Sequence, residues 1–452
     1  MLSHQSLTAA YLEAYAQAGP QATEVAESVQ HSADATTFLA RTLSRPVFLG
    51  HAEHRQLTQD LSHIHDAITA LPNRLFGGDL GRFARAVGMP EVQVSAVLRS
   101  HRDFPIRLSR ADLCMTGSGF QLMELNMGST MGGFDNGFLN EGMLGDPFVK
   151  DFVTQHRLSY IDTVAELAHT IRTECKVPEG SRPMMAIVDW PESYETLEPQ
   201  LRKSSTLLAR HDLDPHPCHI GQLRFADGAV WLGERRIDIL YRLFTMTDLL
   251  EETGPGLIDP VLAAVQRGEV TIFAPMETYL YGSKGALAML ADDANRHLLS
   301  DAERASIDRL LPWTKMLRPG PVTVDGRQVD LERYVLEQQE ELILKPTLLY
   351  AGNGIVPGWH STPEQWREQV TAAMDGPFLV QRRVRPVVEW FPTDHGLEPW
   401  TLVWGPFTMT RGAGGFFIRA ERGEVSGVIN MATGASGTAC FVAPEPDQPL
   451  HR

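Results

Sequence analysis

The segment Arg110-Ala-Asp112-Leu113-Cys114-Met115-Thr-Gly-Ser118-Gly-Phe-Gln-Leu-Met123-Glu124-Leu125-Asn126 constrains this chain more than any other. Its Gly-Ser-Gly centre marks a tight turn between two strand-like stretches and predicts a β-hairpin. With the strands centred on Ser118, Asp112 falls opposite Glu124 and Arg110 opposite Asn126, roughly 5 Å apart between Cβ atoms. The four share one parity. Leu113, Met115, Met123 and Leu125 then occupy the other face, where they can bury. Two carboxylates and an amide oxygen beside an arginine make a hard oxygen-donor set, of the kind that holds magnesium through a few protein oxygens plus nucleotide phosphates. The plainer alternative is a solvated salt-bridge cluster. The next stretch argues against it: Gly128-Ser129-Thr130-Met-Gly-Gly-Phe-Asp-Asn-Gly137 is a glycine-rich turn that lets backbone approach a ligand and exposes N–H groups to anions.

The 452 residues are enough for two or three cores, and 43% apolar with 21% charged residues is ordinary for a globular protein. Forty basic against 56 acidic residues, a net charge of −16, argue against a nucleic acid or an anionic membrane as partner. Phosphate binding must then be local. No basic stretch followed by an apolar core opens the chain, and nowhere do about 18 apolar residues run together, so a cytoplasmic protein is expected. The four cysteines lack the close pairs of a zinc or redox motif. Cys114 shares parity with Asp112, but no histidine is placed to activate it. His51, His54, His63 and His65 lie on a stretch whose Leu57, Leu61, Ile64, Ile68 and Leu71 mark an amphipathic helix, which makes them hydrogen-bonded or solvated rather than metal-bound.

The first hundred residues read mainly as helix, with a second run over 80–97 broken by Gly88 and Pro90. A helical stretch over 147–172 precedes Val177-Pro-Glu-Gly-Ser-Arg-Pro183, a candidate boundary. Three units follow: 1–176, helical with the hairpin; 177–275, a small α/β domain with strands at 184–188 and 237–241 and a helix over 194–210; and 276–452, which carries nucleotide-binding candidates and the return strands. Ser300-x-x-Glu303 and Thr362-Pro-x-Gln365 are capping boxes that start helices at Asp301 and Pro363. Strand-like runs at 342–344, 378–380, 401–403 and 415–418 read as one antiparallel sheet with an inserted helix.

In the last unit, Lys345-Pro346 ends an apolar strand and is followed by Gly352 and Gly354, a loop with room for phosphate. Gln381-Arg382-Arg383-Val384 closes a second strand. Its polar groups suit an adenine edge, with Val384 against the ring face.

These motifs together resemble the ATP-grasp superfamily, in the circularly permuted branch that includes glutathionylspermidine synthase, without that enzyme's added amidase domain. Asp112, Glu124 and Asn126 match the family's Asp-x11-Glu-x-Asn magnesium ligands, and Arg110 the arginine two residues earlier. Lys284 in Tyr281-Gly-Ser-Lys284-Gly-Ala-Leu looks like the first nucleotide lysine, opening a helix, and Lys345 like the second. Gln381 resembles the hinge glutamine, and Ala413-Gly-Gly-Phe-Phe-Ile-Arg419 the late strand whose arginine reaches the transferring phosphate, with Arg411 the alternative. The turn from Ser129 and Thr130 to Asn136 is expected to border the substrate carboxylate, and Arg242, after Tyr241, looks like an arginine of the family's corresponding strand, which implies a contact with a substrate anion. After Asn126 the sequence departs from that branch, which leaves the substrate open.

The resemblance implies an α/β (α+β) fold: an antiparallel catalytic core, a small pre-ATP-grasp domain and a mobile β-rich lid. It implies ATP and two magnesium ions as cofactors, and small-molecule carboxylate and amine substrates, with homodimerisation left open. The expected reaction is amide formation through an acylphosphate; the alternatives are a small-molecule kinase and a catalytically inactive nucleotide-binding scaffold.

Overall fold

The structure, a computed structural model, describes residues 2–18, 25, 27, 29, 41–102, 106–128, 131–134, 137–349, 352–423, 429–431 and 434–446. Its centre is an antiparallel sheet in the order Ser436–Thr438, Gly412–Arg422, Gly396–Met409, Ser109–Thr116, Gly119–Met127. The long strand Gly396–Met409 is shared: its start pairs with Val388–Thr393 and its end with the first hairpin strand. Strands from early and late in the chain therefore make one sheet.

One face of this sheet carries Trp404, Ile418 and Leu402, all buried against the helix His51–Thr69. Leu57, Leu61, Ile64 and Ile68 are the buried stripe of that helix, which is the periodicity the sequence predicts. Two of its four histidines are tied to protein atoms, whereas His54 Nε2 is buried without a hydrogen-bond partner among the described residues. His63 Nδ1 lies 2.9 Å from Ser306 Oγ, and the buried His65 bridges Ser109 Oγ and the Ile106 carbonyl.

Beside the central sheet lies a wholly parallel one, in the order Thr271–Phe273, Ile239–Arg242, Met184–Asp189, Asp214–His219. The helix Pro191–Leu208 makes the crossover between its last two strands, as a parallel pair requires. A third sheet, antiparallel, runs Thr314–Met316, Phe378–Arg382, Leu342–Pro346, Val356–Pro357. Trp366, Val370 and Ala373 of the helix Pro363–Met374 are buried with Leu342, Leu344 and Val380 of that sheet. Burying a side chain such as Val370 contributes about 1.5–3 kcal/mol.

Both capping boxes are present, and the helices begin at Asp301 and Pro363. Two expectations change. The strand-like runs of the last unit divide between two sheets: those near 342 and 378 form the third sheet, whereas those near 401 and 415 join the hairpin. The helical stretch over 147–172 is two helices, Pro147–Gln155 and Thr163–Glu174, because Asp146 and Asp162 each cap a new start by accepting backbone N–H bonds. Among the described residues no helix is long and apolar enough to cross a membrane.

Candidate active site

Asp112 pairs with Glu124 and Arg110 with Asn126 across the hairpin, but the route to that register differs from a turn centred on Ser118. The turn has two residues: Thr116 faces Gly119, and the pairing runs one step short through Leu113 and Leu122. Met123 is then an extra residue, a bulge that restores the register at Asp112. It also places Met123 with the polar quartet rather than behind it, its Sδ 3.3 Å from Cys114 Sγ. Released from the ladder, the Met123 carbonyl accepts a hydrogen bond from Lys345 Nζ at 3.1 Å.

Around the hairpin carboxylates the fold gathers four cations. Arg110 Nε stands 3.0 Å from Asp112 Oδ1, and Arg419 Nη2 reaches the same oxygen at 2.8 Å. Lys284 Nζ stands 3.2 Å from Glu124 Oε2 and donates to the Leu349 carbonyl at 2.8 Å. Lys345 Nζ donates to Gln381 Oε1 at 2.7 Å. Arg110, Asp112, Lys284, Lys345 and Arg419 are each at most 7% exposed. Among the described residues, counting Asp112 and Glu124 against these four gives an excess of two positive charges. The four cations are buried where water screens them little, although the Glu124 side chain itself is 29% exposed.

The electrostatics follow from that packing. Burial opposes ionisation of Asp112, yet Arg110 and Arg419 outweigh it and hold its carboxyl well below the usual range. Lys345 is pushed down to about 8 by burial, with Glu124 opposing the shift and Lys284 adding to it. Cys114, raised to about 12 by burial, is a thiol at neutral pH and no nucleophile.

Local structure explains the placement. Ser283 caps the helix Lys284–Leu290, so Lys284 stands at its first position. Gly282 just before it packs on the hairpin: a Cβ there would lie 2.8 Å from the Met127 nitrogen. On the sheet, Gly405 leaves the space beside Arg110, where a Cβ would sit 3.3 Å from Arg110 Cδ and 2.5 Å from the Phe417 carbonyl oxygen.

Other sequence candidates fall at varying removes. Gly352 and Gly354, both at positive φ, follow Leu349, whose carbonyl holds Lys284. Val384 is part of a small apolar cluster with Cys114, Met123 and Val403 beside Lys345. Arg382 is not brought in, since its guanidinium pairs with Asp325 at 3.0 Å. Arg411 is likewise elsewhere, paired with Glu166, so Arg419 is the late arginine that meets Asp112. Arg242, wholly buried, donates to the Ala274 and Phe244 carbonyls and to Thr278 Oγ1, on the parallel sheet's carboxyl edge. It lies by the hairpin exit, where a Cβ on Gly128 would stand 3.9 Å from its Nη2. Ser129 and Thr130 lie outside the described residues. Sequence reasoning missed the Met123 carbonyl and Thr314, which accepts from Gln381 Nε2 at 3.0 Å. A bulge has no composition signal of its own, and a three-residue strand shows no periodicity.

Asp112, Glu124 and Asn126 fit a hard divalent cation by their donor chemistry. Asn126 Nδ2 is buried without an acceptor among the described residues.

No protein-family model and no curated protein sequence matches the chain. Among solved structures it is similar to a glutathione synthetase-like effector from Globodera pallida in the apo form, with a TM-score of 0.56 and 12% identity over 98% of each chain. A gamma-glutamylcysteine synthetase-like protein from Methylobacillus flagellatus KT matches at a TM-score of 0.44 and 13% identity, over 82% of this chain and 88% of that one. At such identity the first likeness speaks for the fold alone. That fold is mixed α/β with several antiparallel sheets beside one parallel sheet.

Proposed function

We propose that the chain is an ATP-dependent carboxylate–amine ligase that forms an amide bond through an acylphosphate, on an amino acid or small peptide. The observation that carries this reading is the buried excess of cations: among the described residues, the carboxylates that Arg110, Arg419, Lys284 and Lys345 surround are Asp112 and Glu124. Uncompensated buried charge is costly, and a polyanion such as a triphosphate offsets it. The name of the Globodera pallida neighbour, a glutathione synthetase-like effector, belongs to the same class of chemistry.

In this reading the substrate carboxylate attacks the γ-phosphorus and ADP leaves; the amine then adds to the acyl carbon, loses a proton and expels phosphate. Such steps depend on charge neutralisation and in-line placement more than on a protein nucleophile. Lys284 and Lys345 neutralise phosphate oxygens. Arg110 and Arg419 share Asp112, and Arg419 Nε has no acceptor among the described residues, which leaves a donor for the oxygens that gain charge. Asp112, Glu124 and Asn126 would hold magnesium, which when bound neutralises β- and γ-phosphate oxygens. In this reading the substrate carboxylate binds near the hairpin exit, where Gly128 adjoins Arg242.

Paired trials of candidate acids and amines test the proposal by ATP-dependent phosphate release. Hydroxylamine should trap a hydroxamate in place of the amine product, and full turnover should need the amine. A stable phosphorylated product formed without any amine would overturn the ligase reading in favour of a kinase.

A further inference from the structure

Resemblance gives Gln381 the part of a hinge residue that reads the nucleotide base, yet its surroundings leave that amide little to read with. Thr314, Gln381 and Lys345 lie on one face of the third sheet. Thr314 stands directly opposite Gln381, while Lys345, opposite Leu379, is its diagonal neighbour on the strand to the other side. All three are buried, at 1%, 3% and 7% exposed.

The direction of the hydrogen bonds is determined from one end. Thr314 Oγ1 spends its only proton on the Pro312 carbonyl, 2.8 Å away, so towards Gln381 it can only accept. Gln381 Nε2 therefore donates to it, at 3.0 Å, and the amide oxygen is turned to the other side. There Lys345 Nζ, which can only donate, stands 2.7 Å away. The chain has one polarity and ends on a cation. Lys345 Nζ spends a second donor on the Met123 carbonyl at 3.1 Å. An ammonium has three, so two bonds to the protein determine where the third points.

We propose that Gln381 is a positioning residue: with Thr314 behind it, it holds the Lys345 ammonium against the Met123 bulge so that one donor is left for an anion, and its side chain does not read the base. This rests on the nucleotide-site reading above for the choice of ligand, but the arrangement of the three side chains stands without it. The backbone next to Gln381 is engaged as well, since the Arg382 and Arg383 nitrogens donate to the Trp313 and Glu341 carbonyls.

The test compares binding of ATP, GTP and inorganic tripolyphosphate to the full chain and to Gln381→Leu, Thr314→Val, Thr314→Ser and Lys345→Met. Gln381→Leu should weaken all three ligands by one common factor, roughly tenfold, because it leaves the lysine one hydrogen bond short without touching the base. Thr314→Val should do the same to a smaller extent, and Thr314→Ser should restore binding. In a Lys345→Met background Gln381→Leu should cost nothing further. A loss confined to ATP, or losses that add in the double variant, would overturn the proposal. If the unmodified chain binds none of the three, the nucleotide reading fails by itself, and the position of Lys345 is read from the 1H–15N signal of its ammonium in protein labelled at lysine Nζ. That signal should be present in the unmodified chain and in Thr314→Ser, and lost to solvent exchange in Gln381→Leu. Its absence from the former, or its survival in the latter, would sink the assignment.

Discussion

On one face of the central sheet Asp112 and Glu124 sit among Arg110, Arg419, Lys284 and Lys345; on the other, Glu389 sits between His4 and Arg45. Alternation along the strands separates the two: Val403, opposite Arg419, belongs to the first face, whereas Trp404, 5.4 Å from the His4 ring, belongs to the second. The donors of the rear cluster end on protein atoms, although Glu389 Oε1 meets His4 as an ion pair without a hydrogen bond among the described residues. Glu389 lies 3.2 Å from His4 and 2.9 Å from Arg45, His4 Nδ1 meets the Phe48 carbonyl, and Arg45 donates to the Trp390 and Pro46 carbonyls and stacks 4.0 Å from the Phe391 ring. The front cluster is open. It has two more cations than carboxylates, and Arg419 Nε and Asn126 Nδ2 lack hydrogen-bond partners among the described residues. The same sheet thus buries one ionic group whose donors end on protein atoms and ties the amino-terminal helix to the core, and another whose donors are left for something else. Charge balance and unspent donors, more than burial, separate a structural ion cluster from a candidate site.

The sharpest way to break this contrast is to remove the rear carboxylate. Glu389→Leu should destabilise the fold by about 3–5 kcal/mol in denaturant titrations, because it strands Arg45 in the interior. Nucleotide affinity of the molecules still folded should stay the same; a large affinity loss would mean that the two faces are one unit.

Removing a front carboxylate should do the reverse. Glu124→Gln should lower ATP turnover by roughly 10²–10³-fold, as the loss of one preorganised electrostatic group does elsewhere, with little change in unfolding midpoint. Lys345→Met should remove a desolvated cation, so triphosphate binding should fall while the melting temperature rises. A Lys345→Met protein less stable than its parent would count against an open, anion-awaiting cluster.

pH sharpens the comparison further. Lys345 is held at about 8 in the free protein, so an anion that prefers the charged ammonium binds with proton uptake near and above that pH. Affinity should fall as pH rises past 8, by up to about tenfold per unit, and calorimetry in buffers of different ionisation enthalpy should register the proton.

At the rear the sign concerns stability. Burial alone would lower His4, but the ion pair with Glu389 outweighs burial and raises it above its ordinary value. Its contribution is therefore complete below about 6.5 and is lost as pH rises through the folded value. Thermal unfolding followed across that window should show a small decline that His4→Ala removes; an unchanged pH profile in that variant would leave His4 without the pairing.

Much of the candidate site is legible in the chain because strand parity is a local rule. Arg110, Asp112, Glu124 and Asn126 share a face whichever turn joins the strands, provided the register returns at Asp112. It does so through the Met123 bulge, which the sequence does not announce. Helix starts at Asp301 and Pro363 are equally local, since a capping box is written in four residues. The division of the late strands into two sheets is not, because both sets have the same apolar character and differ only in their partners. The choice between Arg411 and Arg419 is of the same kind: one points to Glu166 and the other to Asp112, and no spacing rule tells them apart.

Period-two alternation, caps and glycine turns, which act over a few residues, were enough to mark the hairpin quartet, Lys284 at a helix start and Lys345 near a strand end. Charge balance was decided only by the fold. Asp112 meets Arg419, and Lys345 meets the Met123 carbonyl, across hundreds of residues of chain, and Coulomb and desolvation energies depend on distance and burial in space rather than on separation in sequence.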